Sequence, residues 1–182
     1  MQINIVLVKL IYCYIHYKKY LDAGADYIIL GEGELTLKEL LSKIKNKEPV
    51  SDLKGIVFKN NEEFIANPKR EALKNLDELP MPAWDLVDVD AYKKVWAERG
   101  KKISLNIATT RGCPYKCNWC AKPIYGVRYN SHSPEYITKL ISYLKENYDV
   151  TNFWMCDDIF GLKPRWVQNF NIALKKVDLK IA

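Results

Sequence analysis

Three cysteines lie close together in the segment TTRGCPYKCNWC (109–120). Cys113, Cys117 and Cys120 have the spacing C-x3-C-x2-C, and thiolates so close in the sequence are typical ligands of zinc or iron. Structural zinc sites and simple electron-transfer iron–sulfur clusters normally take four protein ligands. The pattern therefore indicates a metal site that lacks one protein ligand.

The familiar four-ligand sites each require a residue that this sequence lacks. A zinc finger using Cys117, Cys120 and His132 would need a second histidine at 136–138, where Tyr, Ile and Thr stand. A four-cysteine zinc ribbon needs a second C-x2-C, and a two-cluster ferredoxin run needs more cysteines just upstream of Cys113. The pattern favours a [4Fe–4S] cluster on three thiolates, with one iron open to a substrate. A chance group of buried cysteines and a structural zinc module are the alternatives.

The composition is that of a globular protein of one or two domains, with 48% apolar and 27% charged residues among 182. The 28 Lys and Arg against 22 Asp and Glu give a net charge of +6, without a long basic run. We therefore predict no nucleic-acid surface. Five cysteines, three of them clustered, make a poor disulfide framework and favour a reducing, cytoplasmic location.

The first fifteen residues, MQINIVLVKLIYCYI, are strongly apolar. The stretch is shorter than a membrane span and is interrupted by Lys9. It also lacks the basic region and cleavage site of a signal peptide. We expect one or two buried strands here and no membrane span, with a short membrane-associated tail as the alternative.

Residues 1–50 alternate strand and helix, which predicts a doubly wound α/β unit. The expected strands are 3–8 and 26–30, and a short helix covers 16–24. GEGE (31–34) is interpreted as a tight turn, because Thr36 stands where a dinucleotide-binding loop needs its third glycine. Thr36 and Glu39 form a T-x-x-E pattern that predicts a capping box. A helical stripe then follows at Leu37, Leu40, Leu41 and Ile44.

The pattern changes in residues 51–100 and returns to α/β in residues 101–182. GIVFK and EFIA around an Asn-rich turn predict a hairpin, and LDELPMPAWDL (76–86) an extended linker. Strands are then expected at 102–108 and 152–156, and the start of another at 179–182. Ser133 and Pro134 should begin one helix, and Pro164 another. The helical stripes are Ile137, Leu140, Ile141 and Leu144, and Val167, Phe170 and Leu174.

C-x3-C-x2-C with Trp119 just before the last cysteine resembles the signature of the radical S-adenosylmethionine (radical SAM) superfamily. DYIILGEGE, the hairpin, the linker, the cysteine segment and CDDIFGLKP occur in an order that resembles the subfamily with an N-terminal cobalamin-binding domain. Within it, the sequence is similar to the anaerobic magnesium-protoporphyrin IX monomethyl ester cyclase group. The resemblance covers residues 16–182.

The resemblance implies the C-terminal part of a flavodoxin-like cobalamin-type domain in 1–50, a hairpin and linker in 51–100, and the first part of a (β/α)6 barrel in 101–182. It implies that Cys113, Cys117 and Cys120 ligate a [4Fe–4S] cluster whose open iron binds S-adenosylmethionine. Reductive cleavage then yields a 5′-deoxyadenosyl radical. It further implies a small-molecule substrate and a reducing electron donor such as flavodoxin or ferredoxin.

Three more residues take roles from the resemblance. The backbone at Trp119 is expected to contact adenine, with packing of its side chain in the barrel as the alternative. Asp157 or Asp158 is expected to bind the methionine ammonium, with a capping or solvent-facing aspartate as the alternative. Cys156, like Cys13, is expected to be a core residue.

The sequence also departs from the family pattern. The D-x-H-x-x-G motif whose histidine ligates cobalt is absent, and His16 does not match it, so cobalamin binding by this chain is not predicted. Only the first strands of a barrel are expected, which suggests part of a longer enzyme. The substrate and the reaction, methylation or ring closure among others, are not specified. A non-catalytic remnant that binds a cluster is the alternative to an active enzyme.

Overall fold

The computed structural model describes residues 5–8, 11–120 and 126–177. Contacts divide the chain into two compact units, Met1–Leu73 and Lys74–Ala182. None of the helices in the described ranges has the length and apolar character needed to cross a membrane.

The first unit contains a four-stranded sheet with the order β1-β2-β3-β4. Strands β1 and β2 are parallel and are connected by helix α1, whereas the hairpin of β3 and β4 adds two antiparallel strands. Helix α2 follows β2. The bounds are β1 Ile5–Val8, α1 Ile11–Asp22, β2 Tyr27–Leu30, α2 Glu34–Asn46, β3 Ile56–Asn60 and β4 Glu63–Ala66.

Successive residues of β2 belong to two apolar cores, one on each side of this sheet. Ile28 is buried with Leu21 and Val57, whereas Ile29 is buried with Leu40, Leu53 and Ile56. This division follows from the two-residue period of a strand. The alternating strand and helix predicted for 26–46 and the hairpin are confirmed. The hairpin is part of the first sheet rather than a separate segment.

Residues 1–15 were expected to hold one or two strands; the described part contains one, β1, and residues 11–15 begin helix α1, which has a kink at His16. The prediction of a capping box is wrong, because α2 begins at Glu34 with Gly33 as its N-cap and without a side-chain cap. Thr36 and Glu39 instead bind Arg70, whose Nε donates to Thr36 Oγ1 at 2.8 Å and whose guanidinium forms two hydrogen bonds with the Glu39 carboxylate.

The second unit contains a parallel pair of strands, β5 and β8, with helix α4 between them in the chain. A second, very short ladder joins β6 to β7. The bounds are α3 Val89–Glu98, β5 Ser104–Ile107, β6 Thr110–Arg111, β7 Asn130–Ser131, α4 Pro134–Tyr148, β8 Asn152–Met155 and α5 Trp166–Lys176. Single 3-10 turns cover Leu76–Glu78 and Trp84–Leu86.

The core of the second unit packs α4 and α5 against one side of the β5–β8 pair. The predicted α4 stripe of Ile137, Leu140, Ile141 and Leu144 is buried. It packs with Leu105 and Ile107 of β5 and with Trp166 and Phe170 of α5. Ser133 is the N-cap of α4, as predicted, and its side chain accepts a hydrogen bond from Tyr136 N at 3.0 Å.

Other predictions for this unit require correction. Helix α5 begins at Trp166, after Pro164, so that Trp166 and Phe170 face the core and Val167 is exposed. Helix α3 was not predicted, although Asp88 caps it by accepting a hydrogen bond from Ala91 N at 2.9 Å. The strand expected at 179–182 lies outside the described residues, as do residues 3–4 of the first strand and the side chain of Cys13.

Candidate metal-binding loop

The three cysteines lie on a loop that leaves the sheet after β6 and returns at β7. We call residues 112–120 and 126–129 the cysteine loop, since residues 121–125 lie outside the described ranges. Its two ends are joined by the β6–β7 ladder, in which Thr110 pairs with Ser131 and Arg111 with Asn130. One residue further out on each side, His132 N donates to Thr109 O at 2.9 Å. The loop therefore begins and ends at one closed base, next to the carboxyl end of β5.

Gly112 is the first residue of the cysteine loop, and its position requires glycine for two reasons. Its φ of +86° lies in the left-handed region. A Cβ placed on it would lie 2.4 Å from the carbonyl oxygen of Arg128. The two ends of the loop can approach so closely only because this residue has no side chain.

The three cysteine thiols are partly accessible to solvent and are not in disulfides. Cys113 and Cys120 are half-buried, Cys117 is exposed, and all three are free thiols. A turn brings Cys120 N to 3.2 Å from Cys117 O. However, within residues 5–8, 11–120 and 126–177, no three Cys, His, Asp or Glu side chains converge on a single metal position. The structure thus places the three donors on one closed loop without bringing them to a common point.

Asp157 binds the segment that leads into the cysteine loop. Its Oδ1 accepts hydrogen bonds from Thr109 N and Thr110 N, both at 2.7 Å, and from Thr110 Oγ1 at 3.0 Å. Its Oδ2 accepts one from Thr109 Oγ1 at 2.8 Å. Four hydrogen bonds therefore connect the end of β8 to the end of β5. The resemblance led us to expect Asp157 near the site, but this contact was not predicted.

The neighbours of Asp157 are exposed. Asp158 is exposed, and so is Cys156, which was expected in the core. The cause is the strand period: Trp154 of β8 is 67% exposed, and Cys156, two residues later, follows the same side. The amide of Cys156 donates to Ile107 O at 2.8 Å. Trp119 is 89% exposed, so its side chain does not pack in the core.

A polar contact at the start of α4 supports the returning end of the loop. His132 Nδ1 lies 3.0 Å from Asp77 Oδ1, and its ring stacks on Tyr136 at a centroid distance of 4.1 Å. Asp77 also accepts hydrogen bonds from Ser133 N at 3.0 and 3.2 Å. The His132 carbonyl accepts one from Trp166 Nε1 at 2.7 Å. His132, considered from the sequence only as a zinc ligand, is buried in this contact.

Burial and hydrogen bonds shift the pKa values of His132 and Asp77. Burial lowers the pKa of His132 below its ordinary value of 6.5, although the Asp77 carboxylate opposes the change. Burial acts to raise the pKa of Asp77, but the hydrogen bonds from Ser133 and His132 outweigh it and lower that pKa below 3.8. The folded state therefore favours a neutral imidazole beside an ionised carboxylate.

The sequence has relatives among methyltransferases and one ring-forming enzyme. It is 30% identical over 158 residues to an uncharacterized methyltransferase of Pyrococcus horikoshii. It is 29% identical over 133 residues to the anaerobic magnesium-protoporphyrin IX monomethyl ester cyclase of Synechocystis. It is 28% identical over 144 residues to the cobalamin-dependent radical SAM methyltransferase TokK of Streptomyces tokunonensis. These matches cover 86%, 73% and 77% of this chain.

The same matches cover 33%, 26% and 21% of the relatives, so the chain spans about a third of their length or less. No protein-family model matches the sequence. Among solved structures, the cobalamin-dependent S-adenosylmethionine radical enzyme OxsB with aqua-cobalamin bound gives a TM-score of 0.73 at 21% identity, over 97% of this chain and 25% of that one. The radical S-adenosylmethionine methyltransferase TsrM from Kitasatospora setae gives 0.63 at 16% identity, over 93% and 31%.

The two structural matches establish an α/β fold shared with part of these enzymes. The sequence relatives confirm the resemblance stated from the motifs. The chain is therefore similar to one part of the cobalamin-dependent radical SAM methyltransferases and of the anaerobic cyclase.

Proposed function

We propose that this chain carries the cluster-binding part of a radical SAM enzyme. In this proposal Cys113, Cys117 and Cys120 ligate a [4Fe–4S] cluster, and the iron without a protein ligand binds S-adenosylmethionine. The observation that carries the proposal is the cysteine loop itself. It presents three free thiols between the two strands of a closed base, directly after the carboxyl end of a parallel strand.

The donor set fits the cluster by its chemistry. Thiolates are the usual protein ligands of iron–sulfur clusters, and three of them leave one coordination position for a cosubstrate. The half-buried and exposed thiols are accessible to incoming iron and sulfide. Ligation would require the three sulfurs to move together, and the turn at Cys117–Cys120 already brings the backbones of the last two close to each other.

The remaining elements support the finer assignment of the fold. Strand β5, helix α4 and parallel strand β8 form the unit from which (β/α) barrels are built, and barrel sites lie at the carboxyl ends of such strands. We assign residues 101–182 to the first part of the radical SAM barrel. We assign 1–50 to part of a cobalamin-type domain and 51–100 to the hairpin and linker, with the hairpin adding to the first sheet.

A [4Fe–4S] cluster held by Cys113, Cys117 and Cys120 would supply the electron needed to cleave S-adenosylmethionine. The residues of this chain bind the cluster and S-adenosylmethionine and orient them. The three cysteines hold the cluster, the exposed Asp158 accepts hydrogen bonds from the methionine ammonium, and the backbone at the exposed Trp119 contacts adenine.

The reaction class follows from the relatives. Two of the three described above are methyltransferases by name, which favours methyl transfer to a small-molecule substrate. A reducing protein such as flavodoxin or ferredoxin would supply the electron. Cobalamin belongs to the proposal for the whole enzyme, as in the name of TokK, and no residue of this chain is proposed to ligate cobalt.

Metal analysis after anaerobic reconstitution with iron and sulfide tests the proposal. We expect about four iron and four sulfide per chain. Replacing any one of the three loop cysteines by alanine should abolish most of the iron. Cys156→Ala, which removes an exposed thiol near the loop, is the matched control and should bind iron like the wild type. Zinc without sulfide in the wild type, or loss of iron in the control, would contradict the proposed ligand set.

A further inference from the structure

We infer that Asp157 is a positioning residue that fixes the segment entering the cysteine loop, and that it is not a ligand of the cosubstrate. The inference rests on the proposed function, because it assigns the task of Asp157 within that site. Its evidence is the set of four hydrogen bonds between Asp157 and two consecutive threonines that precede the loop.

Thr109 and Thr110 occupy most of the acceptor capacity of the Asp157 carboxylate. An ionised carboxylate offers about four lone-pair positions. Oδ1 accepts three hydrogen bonds and Oδ2 accepts the fourth, all from Thr109 and Thr110. One lone-pair position remains, on Oδ2, so an ammonium group could form more than one hydrogen bond with Asp157 only by displacing a threonine donor.

The donors themselves depend on Asp157. Thr109 is 0% and Thr110 is 5% exposed, so water cannot replace Asp157 as the acceptor for either backbone amide. The free-energy penalty for leaving a buried donor unpaired is larger than the net free energy gained by forming the hydrogen bond. The Thr110 hydroxyl also lies 3.3 Å from Ile159 O, which ties it to the same turn after β8.

The location of this contact explains what it does. Strands β5 and β8 are parallel, with Ile107 opposite Met155, so their carboxyl ends are adjacent. Thr109 and Thr110 follow β5 and Asp157 follows β8. Thr110 is also the first residue of β6, at the base of the cysteine loop. The carboxylate thus sets where the chain turns from β5 into the loop that bears the three cysteines.

The neighbouring aspartate is left for the cosubstrate. Asp158 is exposed, in contrast to the half-buried Asp157. The paired aspartates therefore divide two tasks: Asp157 faces the backbone of the loop base, and Asp158 is accessible to a cationic group. Asp157 thus has a positioning role and Asp158 a charge-dependent one, and substitutions at the two residues should have different effects.

The test uses Asp157→Ala and Asp157→Asn in the full chain, and compares them with Asp158→Ala, which should keep amide protection and iron but lose the response to S-adenosylmethionine. The readouts are hydrogen exchange of the Thr109 and Thr110 amides, iron content after reconstitution, and the response of the reduced cluster signal in electron paramagnetic resonance to S-adenosylmethionine. Loss of charge-assisted hydrogen bonds in Asp157→Ala should speed exchange of the two amides by about 10- to 100-fold and lower iron content. Asp157→Asn keeps an acceptor oxygen and a similar shape, so it should restore amide protection, iron and the response to S-adenosylmethionine.

Other results would overturn the inference. Wild-type exchange of both amides in Asp157→Ala would show that the carboxylate does not order the segment. If Asp157→Asn retains amide protection and iron but loses the response to S-adenosylmethionine, Asp157 is a charge-dependent ligand; this result decides the question even if the alanine variant does not fold. Failure of the wild type to take up iron would defeat the proposed function, whereas the amide exchange would still decide whether Asp157 orders the loop base.

Discussion

Nδ1 of His132 lies 3.0 Å from Oδ1 of Asp77, and 55 residues separate the two in the chain. The contact connects the turn at Leu76–Glu78 to the residue before the N-cap of helix α4. Because the amide of Ser133 donates to the same carboxylate, Asp77 stabilises both the returning end of the cysteine loop and the start of the helix.

This pair predicts how the stability of the second unit depends on pH. The pKa values of both His132 and Asp77 are lowered in the folded state, so the unfolded state binds more protons. Their contribution is complete above pH 6.5, the ordinary pKa of histidine, and declines as the pH falls towards the folded pKa of His132. A second decline, below pH 3.8, comes from Asp77.

Urea unfolding at pH 7 and pH 5 checks this prediction. All five tryptophans lie in the second unit, so their fluorescence follows its unfolding. We expect the free energy of unfolding of the wild type to be lower at pH 5, and the difference to shrink in His132→Gln. An equal pH dependence in the two proteins would show that His132 is not the group responsible.

Gly112→Ala should disturb the entrance to the cysteine loop. The substitution imposes a left-handed φ on alanine, at about 1–3 kcal/mol, and also places a methyl group 2.4 Å from the Arg128 carbonyl oxygen. Gly126→Ala is the matched control, because Gly126 has a φ of +78° and open space around its Cβ position. Iron content should fall much more in Gly112→Ala than in Gly126→Ala. Equal losses would mean that backbone strain, and not the close approach to Arg128, governs the loop.

Ser133→Ala should destabilise the second unit by about 1 kcal/mol, the usual cost of losing an N-cap. The Ser133 hydroxyl satisfies the amide of Tyr136 in the first turn of α4. Ser133→Thr keeps a hydroxyl acceptor at this position and should recover the loss. Tryptophan fluorescence during urea unfolding measures both variants, and an unchanged midpoint in Ser133→Ala would show that the cap contributes nothing.

Features set by short stretches of sequence were predictable. The helical stripe of α4, its cap at Ser133 and the hairpin each depend on residues a few positions apart, and the structure confirms them. The cysteine pattern and the segments around it also indicated the resemblance that the sequence relatives confirm. Such local patterns can be interpreted from the sequence, because the spacing of residues determines which side chains share a face of a helix or strand.

Features set by distant contacts were not predictable in the same way. Thr36 and Glu39 have capping-box spacing, yet both bind Arg70, more than 30 residues further along the chain. Asp157 was expected near the cosubstrate, but its partners are the backbone and hydroxyl groups of residues 109 and 110, which only the pairing of β5 with β8 brings near.

In the proposed function, Cys113, Cys117 and Cys120 bind a [4Fe–4S] cluster with an open iron. Electron paramagnetic resonance of the reconstituted, reduced chain tests it most directly, with spectra recorded before and after addition of S-adenosylmethionine. We expect a [4Fe–4S] signal that changes when S-adenosylmethionine is added and that is absent from Cys117→Ala. A signal that is unaffected by S-adenosylmethionine, or no cluster signal in the wild type, would contradict it.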